Sequence, residues 1–174
     1  MQILFSLILM LSIQNCYADI SLNSSIQYAV DSNTKHQYLE GAIPNEAVEP
    51  YLKHLKTILS PKDYKKYTQN QQKRDAGKYH ITIVRPDEYK ALNQDFSSFI
   101  GYPMSVRCFG IGNIKEGDNE TYFLVCQSQN AANLRQHLKL PTQNFHVTLG
   151  YKETDIFDRP KDKSSLIPPY SILE

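Results

Sequence analysis

Apolar residues recur along this chain with three different spacings, and each spacing predicts a different kind of segment. From residue 3 to residue 13 the run is almost wholly apolar, and no side chain before Asp19 is charged. Such a run is too short to cross a bilayer. It is followed by Cys16-Tyr17-Ala18, with small residues at both ends of the triplet, which is the layout of an export signal cleaved after Ala18. The layout departs from the usual one in that no Lys or Arg precedes the apolar run. Lipid attachment at Cys16 is the competing reading, and Gln14-Asn15 is a poor approach to such a site. Residues 1–18 are therefore expected to be removed, leaving residues 19–174 as a single secreted or periplasmic domain.

After an unpatterned stretch with one strand over residues 25–30, Val48, Tyr51, Leu52, Leu55, Ile58 and Leu59 return at helical spacing, with Pro50 placed in the first turn. Ser60-Pro61 begins a more polar helix that Asp63 helps to cap and Gly77 ends. Residues 79–84 alternate in β-branched fashion and read as a strand. Arg85-Pro86 opens a third helix with Tyr89, Leu92, Phe96 and Ile100 as its buried face, closed by Gly101. Two strands, 104–114 and 120–127, flank a turn at 115–119. A fourth helix spans 131–140, stopped by Pro141, and 145–150 form a last strand. The remainder, 152–174, mixes charges and prolines and reads as a wrapping segment or a loose end. Helices interleaved with a hairpin predict an α+β fold with a largely antiparallel sheet.

Composition adds bounds. A net charge of +1 says nothing about a polyanionic partner. Cleavage after Ala18 would leave Cys108 and Cys126, and a three-residue loop centred on Gly117 would set them opposite each other. A cross-strand disulfide and two buried thiols are both compatible with that placement. Asn23 and Asn119 begin glycosylation triplets, which matter only in a eukaryotic source.

The candidate chemistry lies in two of the strands. His80-Ile81-Thr82 and His146-Val147-Thr148 each put an imidazole and a hydroxyl on one strand face, because positions two apart share a face. One such triplet is more often a packing feature; two in separate strands are harder to dismiss. Side by side, they suit in-line displacement at phosphorus. A neutral imidazole accepts the nucleophile's proton, a protonated one supplies the leaving oxygen, and the threonines hydrogen-bond the phosphate.

The duplicated H-I-T-I and H-V-T-L, within K-Y-H-I-T-I-V-R-P (78–86) and N-F-H-V-T-L-G-Y-K (144–152), resemble the signature of the two-histidine phosphoesterase superfamily. The resemblance covers about residues 78–152. It implies a bilobal fold with pseudo-twofold symmetry and flanking helices, one motif from each lobe. It also implies metal-independent hydrolysis of a cyclic 2′,3′-phosphate or a related nucleotide or oligonucleotide phosphodiester, without a cofactor. His80, Thr82, His146 and Thr148 carry over as the catalytic set, with no assignment of acid and base. The expected mature protein is a monomer that does not enter a membrane. Many relatives act on RNA inside cells, and an exported chain fits that role poorly.

Other features are weaker. Lys53, Lys56, Lys62, Lys65, Lys66, Lys73, Arg74 and Lys78 precede the first motif against Asp63 and Asp75 only. They read as a solvated helical face before they read as a phosphate-steering patch. His36, His54 and His137 lack partner spacing, and no zinc-type ligand set or glycine-rich phosphate loop is present. The rival function is a secreted protein that binds a phosphorylated ligand without turning it over.

Overall fold

The computed structural model describes residues 20–168, so the segment read as an export signal lies outside the described residues. Six strands, β1 (Ile20–Val30), β2 (Gln37–Ile43), β3 (Tyr79–Val84), β4 (Pro103–Glu116), β5 (Asn119–Gln127) and β6 (Phe145–Tyr151), form an antiparallel sheet in the order β3-β2-β1-β4-β5-β6. The helices are α1 (Asn45–Ile58), α2 (Pro61–Asp75), α3 (Pro86–Leu92) and α4 (Gln129–His137). The order of strands reads the same from either edge. In each half a pair of neighbouring strands leads through helix to an outer strand, so β1-β2-α2-β3 corresponds to β4-β5-α4-β6. Long β1 joins the halves: residues 20–25 pair with β4, and residues 26–30 pair with β2. This is the α+β, pseudo-twofold architecture expected from the sequence.

The correspondence extends to single residues. Ala42 faces His80 and Glu40 faces Thr82 across β2–β3, while Val125 faces His146 and Phe123 faces Thr148 across β5–β6. Immediately after each threonine the register slips by one residue, leaving Ile83 and Leu149 as the extra residues of two matching bulges. Bulges of this kind bend a strand and re-aim its side chains. Here they sit directly beyond the two motifs.

Each half lends its helix to the other. Helix α2, from the first half, lies on β6: Asn70 Nδ2 donates to the carbonyls of Tyr151 (3.1 Å) and Lys152 (2.9 Å), and the Tyr151 hydroxyl donates to the Asn70 carbonyl at 2.8 Å. Gly150 permits this contact. A Cβ there would come within 2.9 Å of the Tyr67 carbonyl carbon. Helix α4, from the second half, reaches β3 and α3 through buried Arg135. Its guanidinium donates to the Ile83 carbonyl (2.8 Å), to both Glu88 oxygens (2.8 Å each) and to the Pro141 carbonyl. Outer strands β3 and β6 thereby approach each other, and Gln143 Nε2 donates to the Thr82 carbonyl at 2.6 Å. Ile81, Ile83, Val147 and Leu149 are fully buried in the apolar core, leaving the motif side chains on the other face.

Several local expectations need correction. Strand β2 is absent from the sequence reading, because Glu40 and Gly41 interrupt its apolar pattern. Helix α1 starts at Asn45 after Pro44, so Pro50 lies inside it rather than in its first turn. Helix α3 stops at Leu92, where Asn93 adopts a left-handed conformation. Phe96 is still buried, stacked on Tyr89 at 4.7 Å, but Ile100 is exposed. Helix α4 starts two residues earlier than expected, at Gln129, with Ser128 capping it, and ends at His137.

Cys108 and Cys126 do lie opposite one another, with Cα atoms 4.2 Å apart, and form a disulfide. The route differs from the expected one. Glu116 pairs with Asn119, which leaves a two-residue loop, Gly117-Asp118, with Gly117 at φ 55°. A bulge at Phe109 then restores the register that brings the cysteines together. The C-terminal segment wraps as one of the two readings had it. The Asn119 side chain holds it by donating to Thr154 and accepting from the Glu153 backbone N–H, and the Ile156 N–H donates to Thr121 Oγ1 at 3.1 Å.

Candidate active site

His80, Thr82, His146 and Thr148 line one cleft of about 780 Å³ between the two halves, so the sequence-derived set is brought together. Tyr28, Tyr38, Glu40, Arg74, Asp155, Phe157 and Lys161 also line it, and none of these was singled out as a site residue from the sequence except Arg74 as part of a basic run. His36, His54 and His137 are not among its lining residues. The expected solvated face holds for most of the basic run, since Lys53, Lys56, Lys62, Lys65, Lys73 and Lys78 are exposed. Arg74 differs, because it turns inward from the end of α2.

On the first side, buried Glu40 faces the His80 ring, its Oε2 3.4 Å from Nδ1. The two form an ion pair when the ring carries both protons. Glu40 is itself fixed, accepting from Gln27 Nε2 (2.7 Å) and from the Tyr38 hydroxyl (2.8 Å). The Tyr38 oxygen lies 3.5 Å from His80 Nε2, too far for more than a weak contact. Burial and the Glu40 charge push the Tyr38 phenol well above its ordinary pKa, so it stays protonated. The Thr82 hydroxyl makes no hydrogen bond to another described residue.

On the second side the group at the ring is a cation, Lys161, in place of a carboxylate. His146 hydrogen-bonds the Asn144 backbone, and Lys161 Nζ lies 3.3 Å from its Nε2. With Lys161 protonated, the Nε2 that faces it is the accepting nitrogen of a neutral ring. Burial, and then the Lys161 charge, push the His146 pKa down to about 3. Lys161 is almost wholly buried and also donates to Asp155 Oδ1 at 2.7 Å. Asp155 accepts in addition from Arg74 Nη1 (2.6 Å) and from the Thr148 hydroxyl (3.0 Å). Burial alone would raise the Asp155 pKa, but Lys161 and Arg74 pull it down to about 2. Arg74 completes the network by binding Asp75 through Nε (2.7 Å) and Nη2 (2.8 Å). Both imidazoles line the same cleft.

Two imidazoles from matching strands, in a cleft rich in hydrogen-bond donors, are what a two-histidine phosphoesterase requires. Residues 46–157, well over half of the chain, match the family described as Swiss Army Knife, 2H phosphoesterase domain. The chain belongs to that family. No curated protein and no solved structure matched the chain.

Among the described residues no group of three or more His, Cys, Asp and Glu side chains is arranged to hold a metal ion. No described helix is long and apolar enough to cross a membrane.

Proposed function

We propose that this protein is a phosphodiesterase that opens a cyclic 2′,3′-phosphate, or a related nucleotide or oligonucleotide phosphodiester, with His146 as general base and His80 as general acid. The observation that carries the reading is the difference between the two imidazoles. Neutral His146 meets Lys161 at its Nε2, and His80 has the Glu40 carboxylate 3.4 Å from its Nδ1. Water attacks phosphorus as its proton passes to His146 Nε2. The bond to the 2′ or 3′ oxygen breaks as His80 gives that oxygen a proton, so the products are a phosphomonoester and a free hydroxyl. The exchanged protons return through solvent. Each well-placed transfer is worth about a hundred- to ten-thousand-fold. The free Thr82 hydroxyl suits a non-bridging phosphate oxygen. A cleft of about 780 Å³ suits a nucleotide-sized ligand, and Tyr28 and Phe157 offer aromatic surface to a base.

Neither histidine acts here through a bound metal, so the decisive assay sets wild type, His80→Ala and His146→Ala against a cyclic 2′,3′-nucleotide panel, with and without chelator. Activity in the wild type that survives chelation and is lost in both variants is expected. Full activity in either variant, or loss with chelator, rules the mechanism out. Ligand binding with no product after long incubation would instead favour a binding protein. Export of the mature chain as a monomer completes the reading, supported by the 1–18 pattern and by the Cys108–Cys126 disulfide, which persists in oxidising compartments. Amino-terminal sequencing of the secreted protein should begin at Asp19.

A further inference from the structure

We infer that Lys161 is a phosphate-binding residue whose ammonium lies against His146 Nε2 and passes to a non-bridging phosphate oxygen when substrate enters, freeing that nitrogen to act as base. The inference rests on the cleft's being a phosphodiester site. Its basis is geometric. Lys161 has three N–H donors. One is held by Asp155 at 2.7 Å, and one points to His146 Nε2 at 3.3 Å, a long contact compared with the first. The ammonium lies in the cleft lining beside both residues of the second motif, so an anion arriving there meets a cation already desolvated.

The second motif also lacks its own donor. The Thr148 hydroxyl proton is given to Asp155, so that oxygen can only accept from other groups. Thr82, on the opposite side, gives its hydroxyl to no other described residue. A phosphate set between the halves is thus met by a neutral donor from β3, and on the β6 side by Lys161, the cation beside His146. A phosphate oxygen is a far stronger acceptor for an ammonium than an imidazole nitrogen, because the hydrogen bond is charge-assisted from both partners. Transfer of that hydrogen bond needs only rotation and a small shift of Nζ, with Asp155 as the fixed pivot. No bond to carbon or phosphorus changes.

The groups that bear on His146 are Lys161 and Asp155 from the C-terminal segment, the Asn144 backbone and His80 on β3; Arg74 from α2 bonds Asp155 in turn, and Glu40 from β2 faces His80. Neutralising Lys161 removes the cation closest to the ring, so the imidazole should gain a proton more easily.

The test uses the whole mature protein, inorganic phosphate as probe, and histidine-labelled NMR. In Lys161→Met the His146 titration midpoint is expected to move up, and phosphate affinity to fall about tenfold or more, as loss of a charge-assisted hydrogen bond requires. Lys161→Arg should recover much of the affinity. If the single neutral variant does not fold, Asp155→Asn/Lys161→Met removes both halves of the buried pair and carries the same readouts. Phosphate affinity unchanged in the neutral variant, or no phosphate binding by the wild type, would overturn the inference. Turnover of cyclic nucleotides is measured in parallel. Lys161-dependent phosphate binding without turnover would defeat the enzymatic reading and the release of a base, and leave Lys161 as a phosphate ligand, whereas turnover with Lys161-independent phosphate binding would overturn the inference and leave the enzymatic reading standing.

Discussion

The two halves of the cleft are built on the same strand register and differ in what occupies it. Glu40 on β2 and Phe123 on β5 stand at equivalent positions, each facing a motif threonine. In the first half this position puts a carboxylate 3.4 Å from His80. In the second it puts an aromatic ring edge-on to His146, with ring centres 5.8 Å apart, and leaves polar contact to a lysine from outside the sheet. The threonines divide in the same way, Thr82 free and Thr148 bonded to Asp155. A duplicated scaffold therefore presents two like side chains in unlike electrostatic settings. Acid and base chemistry need that divergence, since two identical imidazoles would compete for one role.

The largest expected effect comes from removing either imidazole. His80→Ala and His146→Ala should each lower kcat about a thousandfold or more, measured on a cyclic 2′,3′-nucleotide. Equal residual activities would mean that the halves contribute alike; full activity in either would break the comparison altogether. Next is the pair of equivalent positions. Glu40→Gln should lower kcat about ten- to a hundredfold, on the scale of losing a residue that orients a functional histidine. Phe123→Leu, which changes no charge, should chiefly cost stability, by about 1 kcal/mol on urea denaturation.

The threonines should separate similarly. Thr82→Val is expected to raise KM several-fold with little change in melting temperature. Thr148→Val should destabilise the fold by about 1–2 kcal/mol, because a buried carboxylate loses a donor. If both variants affected only KM, the Asp155 network would not be the structural feature described.

The smallest effect is on stability against pH. His146 has a folded pKa of about 3, below its unfolded value, so the unfolded chain binds the extra proton between those values. Stability from this group is then fully present above about pH 6.5 and declines as pH falls toward 3. Asp155 adds a loss lower down, as pH drops below its unfolded value toward about 2. Melting temperature should fall by a few degrees from pH 7 to pH 5, and His146→Asn should flatten that part of the curve.

Strands β3 and β6 were readable because alternation, β-branched residues and the motif coincide within six or seven positions. Helix α2 was readable from its cap, Ser60 with Asp63, and its end near Gly77. Strand β2 was not. Glu40 is buried and polar, and its burial makes sense only beside His80, Gln27 and Tyr38, two of which are remote in sequence. Here a departure from the apolar pattern marked the cleft, as local rules tend to fail at sites. Lys161 and Asp155 lie in a segment of charges and prolines where neither periodicity nor motif distinguishes a buried ion pair from solvated side chains. Arg74 was hidden among lysines of the same charge, and only the way α2 packs on β6 turns it inward.

That packing gives a residue without any functional group a say in the chemistry. The lone hydrogen at Gly150 fixes how closely a helix from one half rests on the motif strand of the other, and Arg74 reaches Asp155 from the end of that helix. Even one methyl group at 150 would act as a shim, lifting the helix and lengthening every bond in the chain from Asp75 through Arg74, Asp155 and Lys161 to His146. Variation in such a spacer would retune the surroundings of His146 without touching it.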